Sequence, residues 1–195
     1  MNIATNIFES VNAGIRVFEH QEILSSSCIV EGGLNFRNCT INVTASINNC
    51  TFENCTISCD GLMNCTLTNC DICVGELGIS NCKIENPQLV RFDNCSVTGC
   101  TFSNISCNDD AIIFPEDSKI INCRFENIKL TNHAYLISGI DDCRVSNCRF
   151  ENCTTDRDDL KIIYCERTTG KLIKKTKACE IAEHNCIGLD AVRLC

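Results

Sequence analysis

The 195-residue sequence has no tryptophan, two tyrosines and two prolines, and only three histidines. Its 17 basic residues are outnumbered by 25 acidic ones, giving a net charge of −8, which argues against a surface that binds nucleic-acid phosphates. No apolar run approaches 18 residues, so no membrane span is expected. The first ten residues lack the basic and apolar regions of a signal peptide, and we therefore expect a cytoplasmic protein.

Cysteine is abundant, with 20 residues. Thiols stay reduced in the cytoplasm, so a disulfide framework is not expected. Zinc sites use C-x(2–4)-C pairs separated by a longer gap, often with histidines, whereas here cysteines recur at steps of five, as in Cys50–Cys55 and Cys65–Cys70. We therefore expect no metal and no cofactor, and we interpret the cysteines as small buried hydrophobic residues.

The cysteines follow a five-residue repeat between residues 28 and 167. In its 25 units, 22 third places hold Val, Ile, Leu, Phe or Tyr, and 13 of the 20 cysteines hold the first place. First and third places share one face of an extended strand. This period does not fit a helix but fits short strands separated by turns. Asparagine is frequent at the fifth place, where it tolerates turn geometry and can form ladders between coils.

Stacking of such units predicts a core of third-place side chains with cysteines beside them. The predicted core residues are Phe36, Phe52, Ile57, Leu67, Ile72, Phe102, Phe125, Leu130, Val145, Phe150, Cys50, Cys55, Cys65, Cys70, Cys143 and Cys148. Leu77 also occupies a third place. Cys59 and Cys73 fall outside the frame, and we expect them to face outward or to lie in turns.

The pattern of a small residue, a polar residue, a central Leu or Phe and two variable residues resembles the pentapeptide repeat family. The resemblance covers about residues 28–167. It implies an all-β fold, a right-handed parallel β-helix of quadrilateral cross-section with four units per coil and about six coils, roughly 30 Å long. Breaks in the frame, as at Gly33 and Thr44, leave an alternative open: an irregular right-handed parallel β-helix of the type found in carbohydrate enzymes.

Three segments are predicted. Residues 1–27 form an N-terminal cap, which we expect to be helical because Ile3, Ile7, Val11 and Ile15 follow helical spacing. Residues 28–167 form the solenoid. Residues 168–195 form a C-terminal cap or a homodimer contact, since members of the family often pair through this end.

Two candidate interaction sites follow from interruptions in the repeat and in the charge pattern. Residues 110–117 break the frame and predict an inserted loop, and loops on rigid scaffolds often carry function. The alternative is that its Ile-Ile-Phe stretch packs against the rod. The candidate loop residues are Asp109, Asp110, Ile112, Ile113, Phe114, Glu116 and Asp117. No basic residue occurs between Arg37 and Lys83, which predicts an acidic face that includes Glu53, Asp71 and Glu76.

We expect a non-enzymatic scaffold that binds a protein partner through the faces or the loop of a rigid rod. The resemblance implies a narrower hypothesis, because the best-understood family members mimic duplex DNA and bind type II topoisomerases; the partner would then be DNA gyrase or topoisomerase IV. The charge of −8 is small beside the ~18 charges of a duplex of this length, so the mimicry is partial. The alternative is a carbohydrate-active enzyme or carbohydrate-binding protein, and the enzyme would need an exposed carboxylate cluster.

Overall fold

Nearly all of the described chain is extended, in keeping with the lack of helical periodicity in the repeat. The computed structural model describes residues 7–25, 30–108, 111–116, 118–131, 135–140, 144–155, 163–166 and 181–184. One short helix, α1 (Ile7–Asn12), precedes the first strand. In these residues no helix has the length and hydropathy that a membrane crossing requires.

Twenty-four strands follow the helix in the described residues. The first twelve are β1 (Val17–Glu19), β2 (Glu22–Ser25), β3 (Val30–Glu31), β4 (Asn35–Arg37), β5 (Thr40–Asn48), β6 (Thr51–Glu53), β7 (Thr56–Met63), β8 (Thr66–Thr68), β9 (Asp71–Ser80), β10 (Lys83–Glu85), β11 (Leu89–Asp93) and β12 (Ser96–Thr98). The second twelve are β13 (Thr101–Ser103), β14 (Ser106–Cys107), β15 (Ala111–Glu116), β16 (Lys119–Ile121), β17 (Arg124–Glu126), β18 (Lys129–Leu130), β19 (Tyr135–Ile140), β20 (Arg144–Ser146), β21 (Cys148–Glu151), β22 (Thr154–Thr155), β23 (Ile163–Glu166) and β24 (Ile181–His184).

The strands stack in three parallel sheets, in which each strand pairs with the equivalent strand of the next coil. The first sheet has the order β1-β4-β6-β8-β10-β13-β17-β21-β24. The second sheet has 12 strands; its path β2-β5-β7-β9-β11-β15-β19-β23 continues around a corner into β3, β12, β16 and β20. The third sheet has the order β14-β18-β22. This arrangement confirms the prediction of an all-β parallel solenoid.

The width of the coil changes along the axis. The register partners at the centre of the first sheet are, in turn, Phe36, Phe52, Leu67, Ile84, Phe102, Phe125 and Phe150. The first four steps of this series span 16, 15, 17 and 18 residues, and the last two span 23 and 25. A narrow coil holds three strand segments, one from the first sheet and two from the second, and therefore about three five-residue units.

The four-sided coil that the resemblance implies occurs only in the C-terminal part. There the third sheet adds a side between the first and second sheets, beginning with β14. The physical reason is one more five-residue unit, residues 105–109, between the corner after β13 and the start of β15. In the narrow coils the chain passes from the first sheet to the second with a connection of only two or three residues, as at residues 54–55 between β6 and β7.

The solenoid begins earlier than the predicted boundary at residue 28. Strands β1 and β2 already pair with β4 and β5, so in the described part of the predicted cap the helix is limited to α1. Residues 1–6 and 26–29 lie outside the described residues. At the other end, β24 pairs with β21 and extends the first sheet, while the remainder of the predicted C-terminal cap, residues 168–180 and 185–195, lies outside the described residues.

Aromatic rings stack along the axis at the centre of the first sheet. One stack consists of Phe18, Phe36 and Phe52, with ring centroids 5.2 and 5.0 Å apart. The other consists of Phe102, Phe125 and Phe150, with centroids 5.1 and 4.8 Å apart. These spacings follow from in-register parallel strands, which lie about 4.8 Å apart, and ring contacts of this kind add to the stabilisation gained by burial.

Most of the core consists of third-place side chains and cysteines, and the rest are apolar residues at other places, such as Val74, Val90 and Phe92. From the predicted list, the buried residues are Phe36, Phe52, Ile57, Leu67, Ile72, Phe102, Phe125, Leu130, Phe150, Cys50, Cys55, Cys65, Cys70 and Cys148. Cys143 lies outside the described residues, as does the side chain of Val145.

Two residues, Leu77 and Cys59, do not lie where the repeat predicts them. Leu77 is 68 % exposed, because it lies between Val74 and Gly78, where β9 turns the corner between the two parts of the second sheet. Cys59 is buried, because the alternation of β7 continues past Ile57 and turns the next alternate side chain inward. Cys73 is exposed, as its position outside the frame predicts.

Removal of one ring from the second stack should be costly. We expect Phe125→Ala to lower the free energy of unfolding by about 3–5 kcal/mol, since the ring is fully buried and contacts a ring on either side. Urea unfolding followed by circular dichroism measures the change. Lys129→Ala, an exposed position in the same coil, is the matched control and should change stability by less than about 0.5 kcal/mol. Equal effects of the two variants would contradict the stacked core.

Candidate functional site

Two corners of the coil are formed by residues in the left-handed backbone conformation. The corner after the first sheet has φ between 47° and 57° at every described level, at His20, Asn38, Asn54, Asn69, Asn86, Asn104, Asn127 and Asn152. The corner before the first sheet holds Gly33, Asn49, Asn64, Asn81, Gly99, Asn122 and Asn147, also at positive φ. Asparagine and glycine adopt this conformation at lower cost than other residues, which explains the fifth-place asparagines.

The corner asparagines form amide ladders along the surface. Nδ2 of Asn54, Asn69 and Asn86 donates to Oδ1 of the asparagine one coil earlier at 3.3, 3.1 and 2.8 Å. The ladder is interrupted where Nδ2 of Asn104 donates to Oε1 of Glu85 at 2.7 Å, and it resumes through Asn127 and Asn152 at 3.1 Å each. The ladders thus hold successive coils in register at their exposed edges.

Each corner cysteine satisfies a backbone carbonyl. The thiols of Cys50, Cys65 and Cys82 donate to the carbonyl oxygens of Asn48, Met63 and Ser80, two residues earlier, at 3.2 to 3.3 Å. Cys39, Cys55, Cys70, Cys100, Cys123 and Cys153 make the same contact. A thiol is small enough for the corner and supplies a donor that alanine or valine lacks, which explains the choice of cysteine at the first place.

The cysteines also stack on one another in two columns. The long thiol column, at the corner before the first sheet, contains Cys50, Cys65, Cys82, Cys100, Cys123 and Cys148. The short thiol column, at the corner after the first sheet, contains Cys39, Cys55 and Cys70. All nine are buried and carry no disulfide.

Contact between neighbouring thiols shifts their ionisation. Within the short thiol column, interaction with the neighbouring Cys70 thiol lowers the pKa of Cys55 to about 7, and the same interaction raises the pKa of Cys70. At the start of the long thiol column, burial raises the pKa of Cys50 to about 11. Burial also raises the pKa of Cys59, which lies outside both columns, to about 12. Most of the buried thiols are therefore protonated at neutral pH.

The outer face of the first sheet carries two straight columns of side chains. Each three-residue strand of this sheet turns its first and third side chains outward. Near the N-terminal end, Arg37 pairs with Glu19 at 3.3 Å and with Glu53 at 3.4 Å. Near the C-terminal end, Arg124 pairs with Glu126 and Glu151, and Arg149 pairs with Glu151. Charges of both signs are therefore interleaved on this face.

The centre of this face is rich in hydroxyl groups. It holds Thr51, Thr66, Thr68, Thr101 and Ser103 around Lys83 and Glu85; we call these seven residues the threonine patch. Short hydroxyl side chains lose little conformational entropy when a partner covers them, in contrast with the long side chains of Lys, Arg and Glu. The strands beneath this patch pair in register without shifts, so its outward side chains lie in straight columns.

The segment predicted as an inserted loop forms a strand. Residues 111–116 are β15, which pairs with β11 on one side and β19 on the other. Ile112 and Ile113 are buried, so they belong to the core. The backbone of Phe114 and Glu116 pairs with Arg91 and Asp93, while Asp109, Asp110 and Asp117 lie outside the described residues. The loop prediction was wrong because a buried parallel strand reads as a short apolar run.

The predicted acidic residues do not share a single face. Glu53 ends β6 in the first sheet, and Asp71 begins β9 in the second sheet one coil later, so these two flank the same asparagine ladder. Glu76 lies at the other corner of the coil, next to the exposed Leu77. Glu53 is in addition paired with Arg37, so the structure offers a narrow acidic edge and not an acidic face.

The exposed thiol of Cys73 borders an open depression of about 160 Å³ on the second sheet, which is also lined by Ser58, Asp60, Gly75 and Asp93. Within the described ranges, no group of three or more His, Cys, Asp or Glu side chains is placed to hold a metal ion.

The sequence analysis did not predict the threonine patch or the continuity of the thiol columns. The Thr that follows many of the corner cysteines was the signal for the patch, since it occupies the first outward place of β6, β8 and β13.

Comparisons with known proteins leave the chain without a family assignment. No protein-family model matches it, and no curated protein matches it. Among solved structures, QnrB1, described as a plasmid-mediated fluoroquinolone resistance protein, is similar at 14 % identity over 87 % of this chain and 89 % of that chain, with a TM-score of 0.20. At this TM-score the match does not bear on the function of this chain.

The left-handed corner predicts a specific order of substitutions at Asn69. Asn69→Ala should lower the free energy of unfolding by about 1–2 kcal/mol, because alanine is strained at φ 55° and the two ladder hydrogen bonds are lost. Asn69→Gly loses the same hydrogen bonds without the strain and should cost less. Thermal unfolding of both variants measures the difference, and a glycine variant less stable than the alanine variant would contradict this account of the corner.

The buried thiols predict a loss of stability in alkali. An unfolded thiol ionises near pH 9.0 and the folded Cys59 near pH 12, so its contribution is complete below pH 9 and is lost as the pH rises from 9 toward 12. The free energy of unfolding, measured in urea at pH 7, 9 and 10.5, should therefore fall above pH 9. Cys59→Val should flatten part of this fall. Ile57→Val, which shortens a neighbouring core side chain without removing an ionisable group, should retain it; identical profiles for the two variants would contradict the assignment.

Proposed function

We propose that this chain is a non-enzymatic binding protein that presents the outer face of its first sheet to a protein partner. The observation that carries the proposal is the threonine patch: outward side chains of consecutive coils lie in straight columns at the strand spacing of about 4.8 Å. A β-strand or helix of a partner can follow such columns without rearrangement of the rod. The amide ladders and the stacked core make this surface rigid, which reduces the entropy lost on binding.

The ion pairs at either end of the patch fit a rim around such a contact. Arg37 with its two glutamates lies on the N-terminal side, and the cluster of Arg124 and Arg149 with Glu126 and Glu151 lies on the C-terminal side. Polar rims with satisfied charges commonly surround the less polar centre of a protein interface. Charged groups at a rim steer association and select partners more than they add affinity.

The narrower proposal is that the partner is a type II topoisomerase, DNA gyrase or topoisomerase IV, engaged by partial DNA mimicry. The net charge of −8 supports it. The interleaved arginines on the first sheet weaken it for that face, because a duplex presents charge of one sign. Mimicry would therefore use the acidic edge at Glu53 and Asp71 together with other faces of the rod.

A pair of lysine variants tests the main proposal. Thr66→Lys places a long charged side chain in the threonine patch, and Ser58→Lys places the same group at an exposed position of the second sheet. We expect quantitative pull-downs from the native host to yield at least one protein whose retention falls about tenfold or more with Thr66→Lys and is unchanged with Ser58→Lys. A set of bound proteins that is the same for both variants would show that the patch is not the contact.

Two further assays test the topoisomerase proposal and the alternative of a carbohydrate-active enzyme. Supercoiling by purified gyrase and decatenation by topoisomerase IV, measured with micromolar protein, should be altered if the topoisomerase proposal is correct. Release of reducing sugar from a glycan panel would instead identify a carbohydrate-active enzyme and overturn the non-enzymatic proposal. The proposal also places the protein in a reducing cytoplasm, and it draws support from the use of cysteine as a small buried core residue at the corners of the coil, as at Cys50, Cys65 and Cys82.

A further inference from the structure

The charges on the outer face of the first sheet are divided between its two columns. The first outward side chain of each strand belongs to the basic column, which contains three bases and no acid: Val17, Asn35, Thr51, Thr66, Lys83, Thr101, Arg124 and Arg149. The second belongs to the acidic column, which contains five acids and one base: Glu19, Arg37, Glu53, Thr68, Glu85, Ser103, Glu126 and Glu151. From β1 to β21, the face therefore consists of two parallel stripes of opposite charge.

A face divided in this way is complementary to a second copy of itself. A two-fold axis parallel to the rod places the basic column of one copy against the acidic column of the other, level by level. The opposed charges are then Lys83, Arg124 and Arg149 of one copy with Glu85, Glu126 and Glu151 of the other. We propose that the first sheet binds the same face of a second copy, with the two rods parallel and side by side. This inference names the partner of the threonine patch, so it rests on the proposed function.

Each of the three charged levels would form a square in which the signs alternate. The two outward residues of a strand lie about 6.6 Å apart, and those of the second copy complete the square. Every charge then has its nearest neighbours of opposite sign, while like charges lie on the diagonals. Lys83 gains most from this arrangement, because it has no ion-pair partner among the described residues, whereas Arg124 and Arg149 already contact glutamates of their own copy.

The short hydroxyl side chains of the threonine patch allow the two faces to approach. The charged level of Lys83 and Glu85 lies between the level of Thr66 and Thr68 and the level that begins with Thr101. Sheets packed face to face lie about 10 Å apart, a distance that facing threonines suit. The long side chains of Lys83 and Glu85 can lie over the neighbouring hydroxyl levels, and facing hydroxyls can both donate and accept hydrogen bonds, directly or through water.

The other two-fold arrangement is less favourable. An axis in the same plane but perpendicular to the rod places each column against its own kind with the levels reversed. When the two patches are centred on each other, Arg37 then faces the glutamate of the partner at position 126, but Glu19 faces the one at position 151. Lys83 faces Thr66, so its charge is not matched. Because like charges facing each other oppose association, the parallel arrangement is the one that this charge pattern selects.

The size of the face indicates a reversible dimer. Eight strand levels about 4.8 Å apart, on a side about 15 Å wide, give each copy a face of roughly 500 Å². The two faces together bury about 1,000 Å², which is at the lower end of specific interfaces. We therefore expect a dimer that dissociates on dilution and that is weakened by salt, because its charged groups are partly exposed. The pairing runs along the whole face, whereas the homodimer contact predicted from the sequence was confined to residues 168–195.

Two charge-reversal variants test the pairing. Lys83→Glu makes its level entirely acidic in both copies, and Glu85→Lys makes it entirely basic, so each variant alone should associate at least tenfold more weakly than the wild type. An equimolar mixture of the two variants should form heterodimers, because the acidic level of one then faces the basic level of the other. Lys119→Glu makes the same change of charge at an exposed position outside the face and is the matched control.

The measurement is sedimentation equilibrium of the full-length protein from about 1 to about 500 micromolar, at low and high salt, with the fold followed by circular dichroism. We expect the wild type and Lys119→Glu to dimerise in this range. Glu85 accepts a hydrogen bond from Asn104, so if Glu85→Lys fails to fold, Arg149→Glu mixed with Glu151→Arg repeats the test at another level. A monomeric wild type, undiminished dimers of Lys83→Glu, or a mixture that stays monomeric would overturn the parallel pairing.

Failure of this inference can be distinguished from failure of the proposed function. A monomeric wild type, together with a host protein that Thr66→Lys no longer retains, would overturn the self-pairing and leave the first sheet as the face that binds another protein. Dimers that respond to the charge reversals as expected would confirm both the face and its occupant. In that case the host protein whose retention depends on Thr66 should include the chain itself.

Discussion

In-register stacking of equivalent residues is the constraint on which the rest of this structure depends. Because each strand pairs with the same strand of the next coil, any residue type at one level is placed over its counterpart at the next. Phenylalanine therefore stacks on phenylalanine at the centre of the first sheet, asparagine bonds to asparagine at the corners, and thiol contacts thiol beside them. The same constraint produces the outward columns of hydroxyl and charged groups.

The corners turn this stacking into a closed coil. A left-handed residue turns the chain from one side of the coil to the next, its side chain bonds along the surface, and the cysteine after it donates to the carbonyl before it. The tripeptide Asn-Cys-Thr thus supplies the residue that forms the turn, the buried side chain at the corner and the first outward side chain of the next strand. This tripeptide couples the surface to the core, because a change at any of its three residues alters the surroundings of the other two.

Much of this arrangement could be predicted from the five-residue period. The period identified the inward side chains, the corner asparagines and the burial of most cysteines. It could not predict the number of units in a coil, because a unit has the same pattern whether three or four of them close the polygon; that number depends on the corners and on the units inserted between them. It also failed where strands outgrow a unit, as at Cys59, and where an apolar run is a buried strand, as at Ile112 and Ile113. The ion pairs that join different coils of the first sheet could not be predicted, because their residues are 16 to 27 positions apart and their alignment depends on coil length.

The change in coil width has a consequence for the order of folding. Stacked residues are separated by 15 to 18 positions in the narrow coils and by 23 to 25 in the wide ones. Closing the longer segment costs about 0.4 kcal/mol more in chain entropy at each level, before any contact is gained. In a solenoid, where each level rests only on its neighbours, the structure grows from the place where closure is easiest. The three-sided end is then the template on which the four-sided end assembles, so the chain is built from its N-terminal half outward.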